Sequence, residues 1–166
     1  MRDNIILIGM SGAGKSTLGV LLAKALGKSF VDTDIMIQQA DGRLLQNIID
    51  SDGTDAFLKI EENVICNNVF SHSVVATGGS AVYSERAMAH LSKNATVVYL
   101  QVDFSELSKR IGNIKKRGIA FKGANDLKAV YEERLPLYEK YSDITVKCTG
   151  SDIEGSVNDI IEMLGK

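Results

Sequence analysis

Apolar residues in this chain fall into two rhythms. Ile5-Ile6-Leu7-Ile8 is continuously apolar, the pattern of a strand buried on both faces. From Lys15 to Leu26 the spacing changes: Leu18, Leu21, Leu22 and Ala25 recur at helical intervals, and Gly27 supplies a stop. The alternation then repeats. Ser29–Asp32, Val74–Thr77, Thr96–Val102 and Ile144–Lys147 read as further strands. Helices are expected around Ile35–Ala40 and over Arg43–Asp50 and Asp55–Phe70, with the turn signal Asp52-Gly53 between the last two. Others are expected from Ser84 to about Leu91, near Phe104–Ile111, and over Asp126–Tyr141 and Ile153–Leu164. Short strands alternating with helices predict an α/β fold, a parallel sheet with helices on both faces.

One segment breaks the rhythm. Gly112–Ala124 holds Lys115, Lys116, Arg117 and Lys122 among three glycines and suits a mobile basic loop. With no internal repeat and no interdomain linker, the 166 residues are expected to form one domain.

Composition narrows the function classes. Hydrophobic residues at 45% and charged residues at 24% exclude disordered and collagen-like chains. A formal net charge of -2 gives no general attraction for nucleic acid or an anionic membrane, so anions must be met by local basic groups and backbone amides. The first apolar run is too short for a signal peptide, and no stretch is long enough to cross a bilayer. A cytoplasmic protein is expected, without nucleic-acid or membrane partners and with a monomer favoured. Cys66 and Cys148 lack metal-ligand or C-x-x-C spacing and read as buried, reduced thiols.

The chemistry starts at Gly9-Met10-Ser11-Gly12-Ala13-Gly14-Lys15-Ser16, which fits G-x-x-x-x-G-K-[ST] and is followed by Thr17. Glycines let the backbone curl so that its N–H groups point at phosphates, and Lys15 reaches the outer ones. Ser16 offers a hydroxyl to Mg²⁺, and the helix N-terminus adds its positive dipole end. A strand before and an amphipathic helix after are the context this loop requires. At the end of the next strand, Asp32-Thr33-Asp34 brings two carboxylates to the sheet edge where ligands bind in such folds. On an extended strand Asp32 and Asp34 share one face. One could orient Mg²⁺ water and the other an attacking hydroxyl, or both could simply cap the following helix.

At this point the sequence resembles the shikimate kinase family of small P-loop kinases over essentially its whole length. The resemblance rests on Gly9–Thr17, Asp32-Thr33-Asp34, Phe57 through Ile60-Glu61-Glu62, Gly78-Gly79, Arg110, Arg117 and Arg134-Leu135-Pro136-Leu137-Tyr138. It implies a three-layer P-loop kinase fold with a five-stranded parallel sheet of order 2-3-1-4-5, a mobile lid at about 112–124 and an acceptor-binding region at about 33–62. It implies ATP as co-substrate, Mg²⁺, and a small hydroxylated acceptor carrying a carboxylate, shikimate first, giving shikimate 3-phosphate in aromatic amino acid biosynthesis. By the same resemblance Gly12, Ala13, Gly14, Lys15, Ser16 and Thr17 hold the triphosphate, and Arg110 packs near the adenine. Asp32 helps Ser16 place the metal, and Asp34 holds the acceptor hydroxyl. Gly78 and Gly79 present backbone amides to the acceptor. Arg117 reaches the transferring phosphate from the lid, and Arg134 grips the acceptor carboxylate. Read from the residues alone, Arg117 could also be a solvated charge and Arg134 a solvent-facing helical arginine.

Three departures concern the acceptor. Leu58 stands where the family usually has an arginine sharing that carboxylate, while Glu61, on the same helix face, is retained. Lys59 is about 100° round the helix and does not simply substitute. Ser80 replaces the third glycine of a triplet, and Gly118 replaces the usual proline after the lid arginine. The sequence therefore predicts an ATP-dependent small-molecule kinase, with shikimate or another polyol or hydroxy acid as acceptor. A non-catalytic nucleotide-binding regulator is the alternative from another class, and intact Lys15, Ser16, Asp32, Asp34 and Arg117 argue against it.

Overall fold

The structure, a computed structural model, describes residues 2–111, 119–120, 126–149 and 152–165. Strand β1 (Asn4–Ile8) is buried at every position and occupies the middle of one five-stranded sheet. Its apolar run is explained by that position, because a strand covered on both faces has no solvent side on which to place polar residues. It pairs in parallel with β3 (Ser73–Ala76) on one side and β4 (Ala95–Gln101) on the other. Strand β2 (Ser29–Asp32) adds beyond β3 and β5 (Ile144–Lys147) beyond β4, also in parallel. The order is thus β2-β3-β1-β4-β5.

Helices pack on both faces of this sheet. They are α1 (Lys15–Leu26), α2 (Thr33–Asp41), α3 (Leu45–Asp52), α4 (Thr54–Cys66), α5 (Glu85–Ser92), α6 (Phe104–Arg110), α7 (Leu127–Tyr141) and α8 (Ile153–Met163). No described helix is long and apolar enough to cross a membrane. Most of the buried apolar side chains form one core around β1, β3 and β4, in which each valine, leucine, isoleucine or methionine contributes roughly 1.5–3 kcal/mol of transfer free energy. A smaller core of Ile37, Leu45, Ile48, Phe57 and Ala120 ties α2, α3 and α4 together.

Several boundaries differ from the sequence expectation. Helix α4 stops at Cys66 rather than running to Phe70, and the preceding helix begins at Leu45 rather than Arg43. Arg43 instead bonds Asp41 and Asp52, bridging the ends of α2 and α3. The larger correction is at Asp34. Helix α2 starts at Thr33, immediately after β2, so Asp32 and Asp34 do not lie on one face of an extended strand. Asp32 is the N-cap, its Oδ1 accepting the Asp34 amide at 2.9 Å, while Asp34 stands in the first helical turn. The capping reading and the ligand-facing reading therefore apply together. Cys148 is buried as expected, but Cys66 is only half-buried.

Candidate active site

The Gly9–Ser16 loop joins β1 to α1 and lies at the carboxyl edge of the sheet. Gly9, Gly12 and Gly14 have φ of 144°, 84° and 95°, values that only glycine adopts without strain. Lys15 is buried, and its Nζ donates to the carbonyls of Gly9 at 2.7 Å and Met10 at 2.8 Å, so the loop holds its own lysine in place. Burial lowers this ammonium to about 8, with the Asp34 charge opposing the fall. Ser16 Oγ donates to Asp32 Oδ2 at 2.6 Å, so one carboxylate serves both the phosphate loop and the start of α2. A cavity of about 360 Å³ opens over this loop, walled by Ser11, Gly12, Lys15, Ser16, Asp34 and Gly79 among others.

A second cleft of about 300 Å³ shares Gly14 and Thr17 with the first and extends to Arg110, Cys148, Thr149, Asp152 and Ser156. Arg110 is fixed there by Glu106 Oε1 at 3.0 Å. Beyond the phosphate loop, the one residue of this cleft that the sequence reading assigned to the nucleotide is Arg110. Cys148 and Ser156 carry no motif and are brought in by β5 and α8.

On the other side of Asp34 lies a small enclosed site lined by Ser11, Asp34, Phe57, Gly78, Gly79 and Arg134, with Ser80, Ile119 and Ala120 beside them. Asp34 and Arg134 line it, and Glu61 stands just behind Gly78. Burial pushes the Asp34 carboxyl up to about 6, the Asp32 charge adding to the rise and Lys15 opposing it. Glu61 is 2% exposed, and burial pushes it up to about 7 although a hydrogen bond from Ser80 holds it down. That bond, Ser80 Oγ to Glu61 Oε2 at 2.7 Å, gives the unusual serine a partner. Glu61 Oε1 has no hydrogen-bond partner. Arg134 is 1% exposed, which rules out the solvent-facing reading. Its Nη2 donates to the Ala120 carbonyl at 2.5 Å and its Nε to Tyr83 Oη at 3.2 Å.

The two glycines act through their missing side chains. A Cβ on Gly78 would stand 2.6 Å from Glu61 Oε1 and 2.7 Å from Asp34 Oδ1. One on Gly79 would stand 2.8 Å from Arg134 Nη1 and 3.2 Å from the Ser11 amide. The expectation that Gly78 presents its amide to an acceptor needs correction, because that amide already donates to Thr33 Oγ1 at 3.2 Å. Gly79 accepts from the Tyr138 hydroxyl through its carbonyl at 2.7 Å. Leu58 is half-buried and lines a neighbouring cleft of about 190 Å³ with Glu61, Ser80 and Tyr83. Lys59 is exposed, although it lines the same cleft.

The structure thus brings together the phosphate loop, Asp32, Asp34, Glu61, Gly78, Gly79 and Arg134. Arg117 lies outside the described residues, as does most of the expected lid. Within that segment Ile119 and Ala120 are described, and both are buried. Sequence reasoning missed Thr33 and Tyr83, whose residue types announce no chemistry by themselves.

The arrangement has clear counterparts. The shikimate kinase family model matches residues 11–165. The shikimate kinase of Thermobifida fusca (strain YX) is 37% identical over 167 residues, covering 99% of this chain and 94% of the relative. Shikimate kinase from Acinetobacter baumannii, solved in complex with shikimate, aligns with a TM-score of 0.86 at 25% identity, covering 99% of this chain and 93% of the other. That of Aquifex aeolicus vf5 aligns at 0.80 with 29% identity, covering 98% and 96%.

Proposed function

The chain belongs to the shikimate kinase family, and we propose that it transfers the terminal phosphate of ATP to a hydroxyl of shikimate, forming shikimate 3-phosphate. The observation that carries the reading is the place of Asp34. With Ser11 and Gly79 it forms the shared wall of the phosphate-loop cavity and of the enclosed site holding Gly78 and Arg134. A hydroxyl held by that carboxylate is delivered at the boundary between donor and acceptor.

Lys15 and the loop amides take the triphosphate, their charge meeting that which develops on the transferred group. Asp34 orients the acceptor hydroxyl. As its oxygen bonds to phosphorus and the bond from phosphorus to ADP breaks, the proton passes to Asp34. A carboxyl near 6 is largely ionised at neutral pH yet basic enough to take that proton. The Arg134 guanidinium meets the acceptor carboxylate with a charge-assisted hydrogen bond. The cleft at Arg110, Cys148 and Asp152 takes the adenine. The oxygen donors of Ser16 and Asp32, 2.6 Å apart, suit a hard cation. Ser16 and Asp32 would hold Mg²⁺, which would supply positive charge against the phosphates. Arg117 is assigned to the transferring phosphate on the family resemblance. Such a protein works as a soluble cytoplasmic enzyme, and we favour a monomer.

Leu58 supports a second reading within the same class, a kinase for a different polyol or hydroxy acid, since leucine adds no cation for a carboxylate. ATP turnover by the purified protein against shikimate and a panel of polyols and hydroxy acids decides between them. Efficient turnover of shikimate is expected, and a clear preference for an uncharged polyol would overturn it.

A further inference from the structure

Tyr83 ends the 3₁₀ turn Ala81–Tyr83 that follows Ser80, and the transfer chemistry calls for no phenol there. Its surroundings are nonetheless specific. Arg134 Nε donates to its hydroxyl at 3.2 Å, and the guanidinium carbon stands 5.2 Å from the ring centroid, within cation–π range. Burial raises the phenol above its ordinary range, and the neighbouring Glu133 carboxylate adds to the rise. Its oxygen serves Arg134 as an acceptor, which leaves the phenol proton pointing away from the guanidinium.

The guanidinium is therefore held at two of its three nitrogens, by Tyr83 at Nε and by the Ala120 carbonyl at Nη2. Nη1 lies on the side of Gly79, where a Cβ would come within 2.8 Å of it. That is the side of the enclosed site shared with Asp34. A planar guanidinium fixed at two points has its third direction fixed as well. Across the neighbouring cleft from Tyr83 stands Leu58, which supplies no charge.

We propose that Tyr83 is a positioning residue for acceptor binding: it aims Arg134 Nη1 at the acceptor carboxylate, so that one well-oriented guanidinium serves where Leu58 offers no second. The inference rests on the shikimate kinase reading and adds to it a residue that acts only through Arg134. Immobilising the guanidinium beforehand reduces the ordering that binding would otherwise impose.

The test compares Tyr83→Phe, which keeps the ring and loses the hydroxyl, with Tyr83→Leu, which loses both. KM and kcat are measured with shikimate and with shikimate methyl ester, alongside KM for ATP and the melting temperature. KM for shikimate should rise roughly threefold in the phenylalanine variant and roughly tenfold or more in the leucine variant, tenfold corresponding to about 1.4 kcal/mol. kcat and KM for ATP should stay within about twofold, since an interaction made equally in ground and transition states moves KM alone. KM for the ester, which has no carboxylate to aim at, should not change. Unchanged shikimate KM in both variants, or equal rises for acid and ester, would overturn the proposal. Should the leucine variant melt too early to assay, the phenylalanine variant decides by the same criteria. A wild-type protein inert towards shikimate would refute the functional reading and this inference with it, and would be seen before any variant is made.

Discussion

The proposed donor half, between Gly9 and Ser16, consists of main-chain groups and one lysine, all from a single stretch of sequence. The proposed acceptor half, by contrast, draws Asp34 from α2, Glu61 from α4, Gly78 and Gly79 from beyond the end of β3, and Arg134 from α7. The first half depends on backbone shape, which glycine spacing encodes. The second depends on side-chain packing across distant elements, where a single replacement such as Leu58 or Ser80 alters the local charge balance. A donor half encoded by local backbone shape can therefore coexist with an adjustable acceptor site.

Variants should separate the two halves. The largest effect is expected from Asp34→Asn, which should lower kcat by roughly 10²–10⁴, the range for loss of a general base, while nucleotide binding by calorimetry is retained. The pH profile belongs to the same test. The wild-type kcat/KM for shikimate should fall as the pH drops through about 6, where Asp34 gains its proton. Equal loss of nucleotide binding and transfer would make Asp34 a structural residue of both halves.

Next in size, Arg134→Met should raise KM for shikimate about a hundredfold, the scale of removing one partner from a buried charge pair, and leave KM for ATP near its wild-type value. Leu58→Arg works in the opposite direction. A second guanidinium should lower KM for shikimate by roughly fivefold to tenfold, about 1–1.4 kcal/mol and just short of the ~1.5–3 kcal/mol of a hydrogen bond to a charged group. An unchanged or higher KM would mean that acceptor affinity is not limited by the number of cations.

The smallest effect is thermodynamic. Glu61 is raised in the folded state, so its contribution to stability is full below about 4.5 and is lost as pH rises through about 7. Glu61→Gln removes the buried charge and should gain on the order of 1–3 kcal/mol relative to wild type on going from pH 5 to pH 8. Melting curves at the two pH values check this; parallel shifts at both would show that Glu61 is not titrating between them.

The pattern of strands and helices was legible because burial on both faces demands apolar runs, as in β1 and β4. The donor half was legible because its geometry is local. What escaped was set by contacts between elements. Periodicity could not reveal that α2 begins at Thr33, one residue after β2, because an N-cap aspartate and a strand-end aspartate look alike in sequence. Nor could it reveal that Thr33 captures the Gly78 amide or that Ser80 bonds Glu61. Tyr83 gave no signal, since its role exists only once the turn after β3 meets α7. Arg134 read equally well as a surface residue until packing buried it.

Gly78 has a further consequence for anyone scanning this chain by mutation. Its φ lies outside the left-handed region, so a survey of backbone angles would pass it as replaceable by alanine. The obstacle is two acids facing each other across a space too narrow for a methyl group. Selection for transfer activity at position 78 should return glycine alone, whereas selection for folding alone should tolerate alanine once either acid is shortened or removed. The glycine is a spacer between carboxylates, and its intolerance would report on the chemistry of the site rather than on the path of the chain.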